Sequence, residues 1–190
     1  MRIIIAGVLG GIAMYIWATI AHVATPLASM GLQPVPNEAA VLAAMHKNLG
    51  DKPGLYFLPF STGHDQKAMA EQEAKLKVEP AALVAYRPPG AGGMAPRQLI
   101  TEFALEVVES LLAAAVLAAV AGGFSRRLGI AAAIGLIAAM ATNLSYWNWY
   151  GFSLDYSLAN AFTEWVKFLV AGAVIAWVLG WKGRGSRRRM

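Results

Sequence analysis

Residues 99–121 read LITEFALEVVESLLAAAVLAAVA, and residues 158–181 read LANAFTEWVKFLVAGAVIAWVLGW. Each is an apolar stretch of membrane-crossing length with one polar stripe in its early turns. Glu102, Glu106 and Glu109 in the first, and Asn160, Glu164 and Lys167 in the second, follow i, i+4, i+7 spacing. That spacing puts each set on one face of an α-helix. Charged groups inside a bilayer cost roughly 2.5–3.5 kcal/mol each on insertion scales, so they need partners and usually mark a role. If both helices run from the outer face inward, a rise of 1.5 Å per residue puts Glu106 and Glu164 roughly 9–11 Å deep and Glu109 and Lys167 roughly 14–15 Å deep. A Glu109–Lys167 pair is then expected wherever the two helices are neighbours.

Composition agrees with a membrane class. The chain has 190 residues, of which 57% are hydrophobic and 14% charged, with a mean hydropathy of +0.50. Soluble domains carry about 25% charged residues. The absence of Cys excludes disulfides, thiolate metal sites and a cysteine nucleophile. The net charge of +5 does not point to nucleic acid, because five basic residues crowd into Lys182–Arg189 directly behind an apolar segment. In that position they read as a topology anchor.

Four segments are expected to cross the membrane, at 1–22, 99–121, 128–147 and 158–181, each near the ~20 residues that a crossing needs. The first exceeds the length of a signal-peptide apolar core and carries Tyr15 and Trp17, so it reads as an uncleaved anchor. Arg2, Arg126 with Arg127, and the basic tail 182–190 fall at alternate boundaries, and the short loop from Asn148 to Ser157 has no Lys or Arg. The positive-inside rule then places both termini in the cytoplasm. Residues 23–98 form an outer, periplasmic segment with mixed α/β character. In it, a helix is expected from Pro36-Asn37-Glu38 to about Asn48, a strand over 55–58, a polar helix over 65–77, and a strand over 82–87. This segment holds too few apolar residues to fold alone. The predicted fold class is thus an all-α membrane protein: four transmembrane helices with a small α/β outer domain between the first two.

Several short patches carry a resemblance. Trp17 with His22 and Pro26, then Pro36-Asn37-Glu38, Gly54-Leu55-Tyr56-Phe57-Leu58-Pro59, and Asn148-Trp149-Tyr150-Gly151-Phe152 look like an uncharacterised group of small four-helix bacterial inner-membrane proteins. The resemblance implies a bacterial inner-membrane protein and carries no activity.

The candidate site combines both stripes with Asn143, which the third segment brings to a similar depth, and with His22 and Arg97 at the outer rim. Four carboxyls face one Lys167, and Arg97 is expected to answer Glu102. At least one carboxyl, Glu106 or Glu164, is left to hold its proton or to meet a bound cation. The same residues could instead serve as structural glue between helices, or contact another subunit. Gly7 with Gly11, Gly135 with Ala139, and Gly172, Ala176 and Gly180 offer small-residue faces for close helix approach. His22, His46 and His64 show no ligand spacing, Gly90-Ala91-Gly92-Gly93 lacks the Lys and Ser/Thr of a phosphate loop, and no catalytic triad can be argued. No metal and no cofactor is predicted. The favoured reading is a non-catalytic accessory or assembly subunit of a larger inner-membrane complex, with membrane lipid and other integral membrane subunits as partners and no nucleic acid. The alternative is a proton- or small-cation-conducting carrier using Glu106, Glu109, Glu164 and Lys167.

Overall fold

The computed structural model describes residues 1–90, 93 and 95–181. The basic tail 182–190 and most of the Gly90–Met94 link lie outside the described residues. The chain divides into two units, Met1–Leu32 with Met94–Met190, and Gln33–Gly93.

The first unit holds four long helices: α1 (Arg2–Val23), α4 (Pro96–Ala119), α5 (Phe124–Tyr150) and α6 (Leu154–Gly180). A turn of π-helix, Met140–Leu144, interrupts α5. The second unit holds α2 (Glu38–Leu49), β1 (Gly54–Leu58), α3 (Gln66–Leu76) and β2 (Ala82–Tyr86).

Three helices, α1, α5 and α6, are long and apolar enough to cross a membrane. This corrects the expectation of four. The exception is α4, which covers the expected crossing at 99–121. It begins earlier, at Pro96, and any stretch of it long enough to cross contains at least three of Arg97, Glu102, Glu106 and Glu109. The apolar run from Leu111 to Ala119 fills only its second half, so α4 does not qualify on its own composition.

Packing in this unit depends on glycine. A Cβ on Gly7 would lie 2.8 Å from the Cα of Leu111, and one on Gly11 would lie 2.6 Å from the Cα of Val107. Gly10 meets Ser110 between them. The pairing runs backwards in number, so α1 and α4 are antiparallel and their backbones almost touch. Tyr15 continues the seam edge-on to Phe103, with ring centroids 5.4 Å apart. α1 is also antiparallel to α6: the Trp17 indole donates to the Thr163 carbonyl at 3.0 Å, and Gly10 faces Ile175. On the other side of α6, Gly172 meets Ala131, Gly135 meets Phe168, and the Trp165 indole donates to the Ala132 carbonyl at 3.1 Å. Below these contacts lies a dry core of Ala6, Ala113, Ala114, Leu117, Ala171 and Ile175. Gly180, by contrast, meets nothing within 4 Å, so the small-residue face of α6 stops short of its end.

The second unit is thinly built. Asn37 and Asp65 cap α2 and α3 by accepting hydrogen bonds from the amides of Ala40 and Ala68. β1 and β2 pair antiparallel with Tyr56 opposite Val84. Tyr86 is its one buried residue among those described. The Tyr86 hydroxyl donates to the Gly50 carbonyl at 2.9 Å.

Close approach at Gly11 makes a directional prediction. Gly11→Ala should lower unfolding stability in detergent by about 1–3 kcal/mol, the usual cost of overpacking. Gly129→Ala, on a part of α5 where a Cβ meets nothing, should raise it by about 0.5–1 kcal/mol through helix propensity. Chemical denaturation followed by circular dichroism reads both, and equal responses would contradict the packing described.

Candidate functional site

The antiparallel seams above make α4 and α6 parallel to each other, and their two stripes converge. A cavity of about 470 Å³ between the helices is lined by Glu102, Glu106 and Glu109 from α4, by Asn160, Glu164 and Lys167 from α6, by Asn143 from α5, and by His22 from α1. Eight of the nine residues singled out from the sequence therefore share one space. Arg97 is the ninth. It borders a separate shallow pocket with Gln98, Thr101 and Glu102, and it makes no ion pair among the described residues. Glu102 is thus left without the partner expected for it.

Lys167 is the centre of the cluster. Its Nζ lies 3.2 Å from Glu164, 3.3 Å from Glu109 and 3.7 Å from Glu106. The ammonium side chain is 9% exposed, Glu106 1%, Glu164 28% and Glu109 40%. The two outer carboxylates are partly open, and Glu106 is sealed beneath them. At 3.7 Å, Glu106 has an electrostatic neighbour and no hydrogen bond. Both of its oxygens are buried and without a hydrogen-bond partner among the described residues. Ser110, one turn further along the α4 stripe, is equally buried with an unpartnered hydroxyl.

The remaining polar groups have turned their donors away. The side-chain amide of Asn143 donates to Ala139 O at 3.2 Å, that of Asn160 to Tyr156 O at 2.8 Å, and the Thr163 hydroxyl to Ala159 O at 2.9 Å. His22 Nδ1 lies 2.9 Å from Ala18 O. A carbonyl can only accept, so Nδ1 carries the proton, and Nε2 is an acceptor in the neutral ring. The space is therefore lined by carboxylates and by acceptors, with the Lys167 ammonium as its fixed cation. Four carboxyls against one ammonium leave an excess of negative charge, and of the four only Glu106 is sealed, where an unpaired ion is disfavoured. Such an arrangement is chemically suited to accept a positive charge.

Three features lay outside the reach of pattern reading. Thr142 lines the cavity from the π-turn, and π-turns leave no trace in residue spacing. The Trp17 and Trp165 indoles bond to backbone carbonyls of other helices, a pairing that spacing within one helix cannot show. Ser110 did carry a signal, since it follows Glu106 at i+4 on the same face.

Replacing the central cation should expose the imbalance. Lys167→Met leaves the carboxylates without their ammonium, and a broken buried pair typically costs about 3–5 kcal/mol. The loss should be smaller in Lys167→Met/Glu109→Gln, which also removes one of the carboxylates that the ammonium answers. Glu106→Gln alone should change stability by less than about 0.5 kcal/mol, because the buried Glu106 carboxyl makes no hydrogen bond for the isosteric amide to lose. Thermal unfolding in detergent measures all three, and a Glu106→Gln protein as damaged as Lys167→Met would overturn this assignment of charge.

Comparison of the chain with protein-family models, with curated proteins and with solved structures finds no match.

Proposed function

We propose that this chain is an integral membrane protein whose polar cavity takes up a proton or a small cation at Glu106, opposite the fixed ammonium of Lys167. The observation that carries the reading is the sealed carboxyl of Glu106, without a hydrogen bond and 3.7 Å from Lys167 Nζ, in a space lined by three further carboxyls. A bacterial inner-membrane location follows from the resemblance noted in the sequence. An orientation with the basic end in the cytoplasm follows from Arg2, Arg126 and Arg127 at one end of the first unit.

The site is one of uptake rather than through-conduction by a single chain. Beyond Lys167 and Ser110, toward the basic end, the described residues packed between the helices are apolar or small: Gly10, Ala113, Leu117, Ala131, Ala171 and Ile175. A proton has no titratable group to reach there, and an ion no acceptor.

The accessory-subunit reading has its own support. The second unit pairs only two strands and buries only Tyr86 among its described residues, while Leu55, Phe60, Met69 and Val78 are each more than 60% exposed. A two-stranded sheet is marginal by itself, so this unit is built to complete its core against something else.

Proton uptake on titration from alkaline to neutral pH, measured potentiometrically in nanodiscs, should fall by about one proton per chain in Glu106→Gln. The infrared band of a protonated carboxyl should be present in the native protein at neutral pH and disappear in the same variant, unless sodium, potassium or an organic ammonium displaces it. Carboxyls all ionised in a cation-free buffer would defeat the proposal. Liposomes containing the protein should leak protons no faster than empty ones. A leak abolished by Glu106→Gln would restore conduction, and stoichiometric co-purification with other membrane subunits would favour the accessory role.

A further inference from the structure

We propose that the basic end of the first unit is a binding site for an acidic phospholipid, its phosphate held by Arg127 and its net charge answered also by Arg2 across a ridge of two tryptophans. Trp177 and Trp181 stand one turn apart on and just after α6, with ring centroids 5.2 Å apart and planes tilted by 34°. They are 58% and 61% exposed. A groove opens on each side of this ridge. One, of about 690 Å³, is bordered by Gly122, Gly123, Phe124 and Arg127. The other, of about 290 Å³, is bordered by Arg2, Ile5 and Leu9. Each groove thus joins apolar walls to a single guanidinium.

Charge names the occupant. Arg2, Arg126 and Arg127 are the charged residues described at this end, and every carboxylate among the described residues of the unit lies toward the other end. From Lys167 to Trp177 is ten residues, or about 15 Å along α6, so the cavity's negative charge does not answer these arginines. Arg127 is also oriented. Its Nε donates to Leu117 O at 3.1 Å, satisfying one of the last carbonyls of α4. That bond fixes the guanidinium plane and leaves its terminal amino groups for a phosphate, which arginine binds in a fork. Indole rings favour the headgroup level of a bilayer, and the exposed side chains of Ile5 and Leu9 offer the acyl chain an apolar track. A zwitterionic headgroup carries its own cation and gains little here. A headgroup with net negative charge gains from all three arginines.

This inference rests on the membrane reading of α1, α5 and α6 and is independent of the Glu106 proposal, since no residue is shared. The test uses the full chain in phosphatidylcholine nanodiscs doped with acyl-brominated phosphatidylglycerol or, in a parallel set, with acyl-brominated phosphatidylcholine. Tryptophan fluorescence should be quenched several-fold more per brominated phosphatidylglycerol than per brominated phosphatidylcholine. The excess should vanish in Trp177→Phe/Trp181→Phe, which locates it, and in Arg2→Gln/Arg127→Gln. It should persist in Arg2→Lys/Arg127→Lys, and Arg2→Gln alone, which spares the Arg127–Leu117 bond, should reduce it. Equal quenching by the two lipids, or an excess that survives Arg2→Gln/Arg127→Gln, would overturn the proposal. Loss of the excess on adding millimolar inorganic phosphate would assign the site to a free anion instead and overturn the lipid.

Discussion

One ammonium shared among three carboxylates organises the upper half of the helical unit. Lys167 reaches Glu164 on its own helix and Glu109 and Glu106 on α4. α4 is the helix with too many acids to enter a bilayer on its own composition, so its place in the bundle depends on having those acids answered. Glu109 and Glu164 are answered at 3.3 and 3.2 Å while keeping some access to water. Glu106 is answered only at longer range. The cluster therefore fixes the pairing of α4 with α6 and, by the same arrangement, leaves one acid unsatisfied. A site that bound a cation more weakly could have used fewer acids, and a purely structural bridge would have needed only one.

Helix approach and site geometry are two results of the same packing. Gly7, Gly10 and Gly11 bring α1 against α4, while Trp17 ties α1 to α6 through the Thr163 carbonyl. α1 thus sets the distance between the two stripes without contributing a charge to them. On the far side, Gly135 and Gly172 seat α5 and α6 together, and that contact carries Asn143 to the cavity wall. The tight lower half and the open upper half differ in side-chain size and polarity, not in helix direction.

Much of this arrangement could be read from spacing. The i, i+4, i+7 stripes name the faces that meet, and equal depth along parallel helices names the Lys167–Glu109 contact. Asn37 and Asp65 mark helix starts in the outer segment, because caps are local chemistry. The number of membrane-crossing helices was misjudged for a reason visible in α4 itself. Its Ala, Leu and Val lie in one half and its acids in the other, so an average over 99–121 hides a helix that changes character midway. Arg97 at the mouth of the site suggests a partner for Glu102, yet a five-residue separation sets the two side chains on different faces of the helix, and they border one shallow pocket without pairing. Contacts such as Trp165 with Ala132 depend on how two helices meet, and a single sequence states no such register.

The π-turn at Met140–Leu144 separates two jobs along α5. Each residue of a regular α-helix advances the side-chain direction by about 100°, so a wider turn resets the angular phase of everything after it. Ala131, Gly135 and Ala139 before the turn keep the i, i+4 beat that the seam with α6 requires. Tyr146, Trp147 and Trp149 after it need not keep that beat. The aromatic rim is thereby mechanically uncoupled in rotation from the seam, and can be re-aimed by gain or loss of a single residue in this turn while the contact below stays in register.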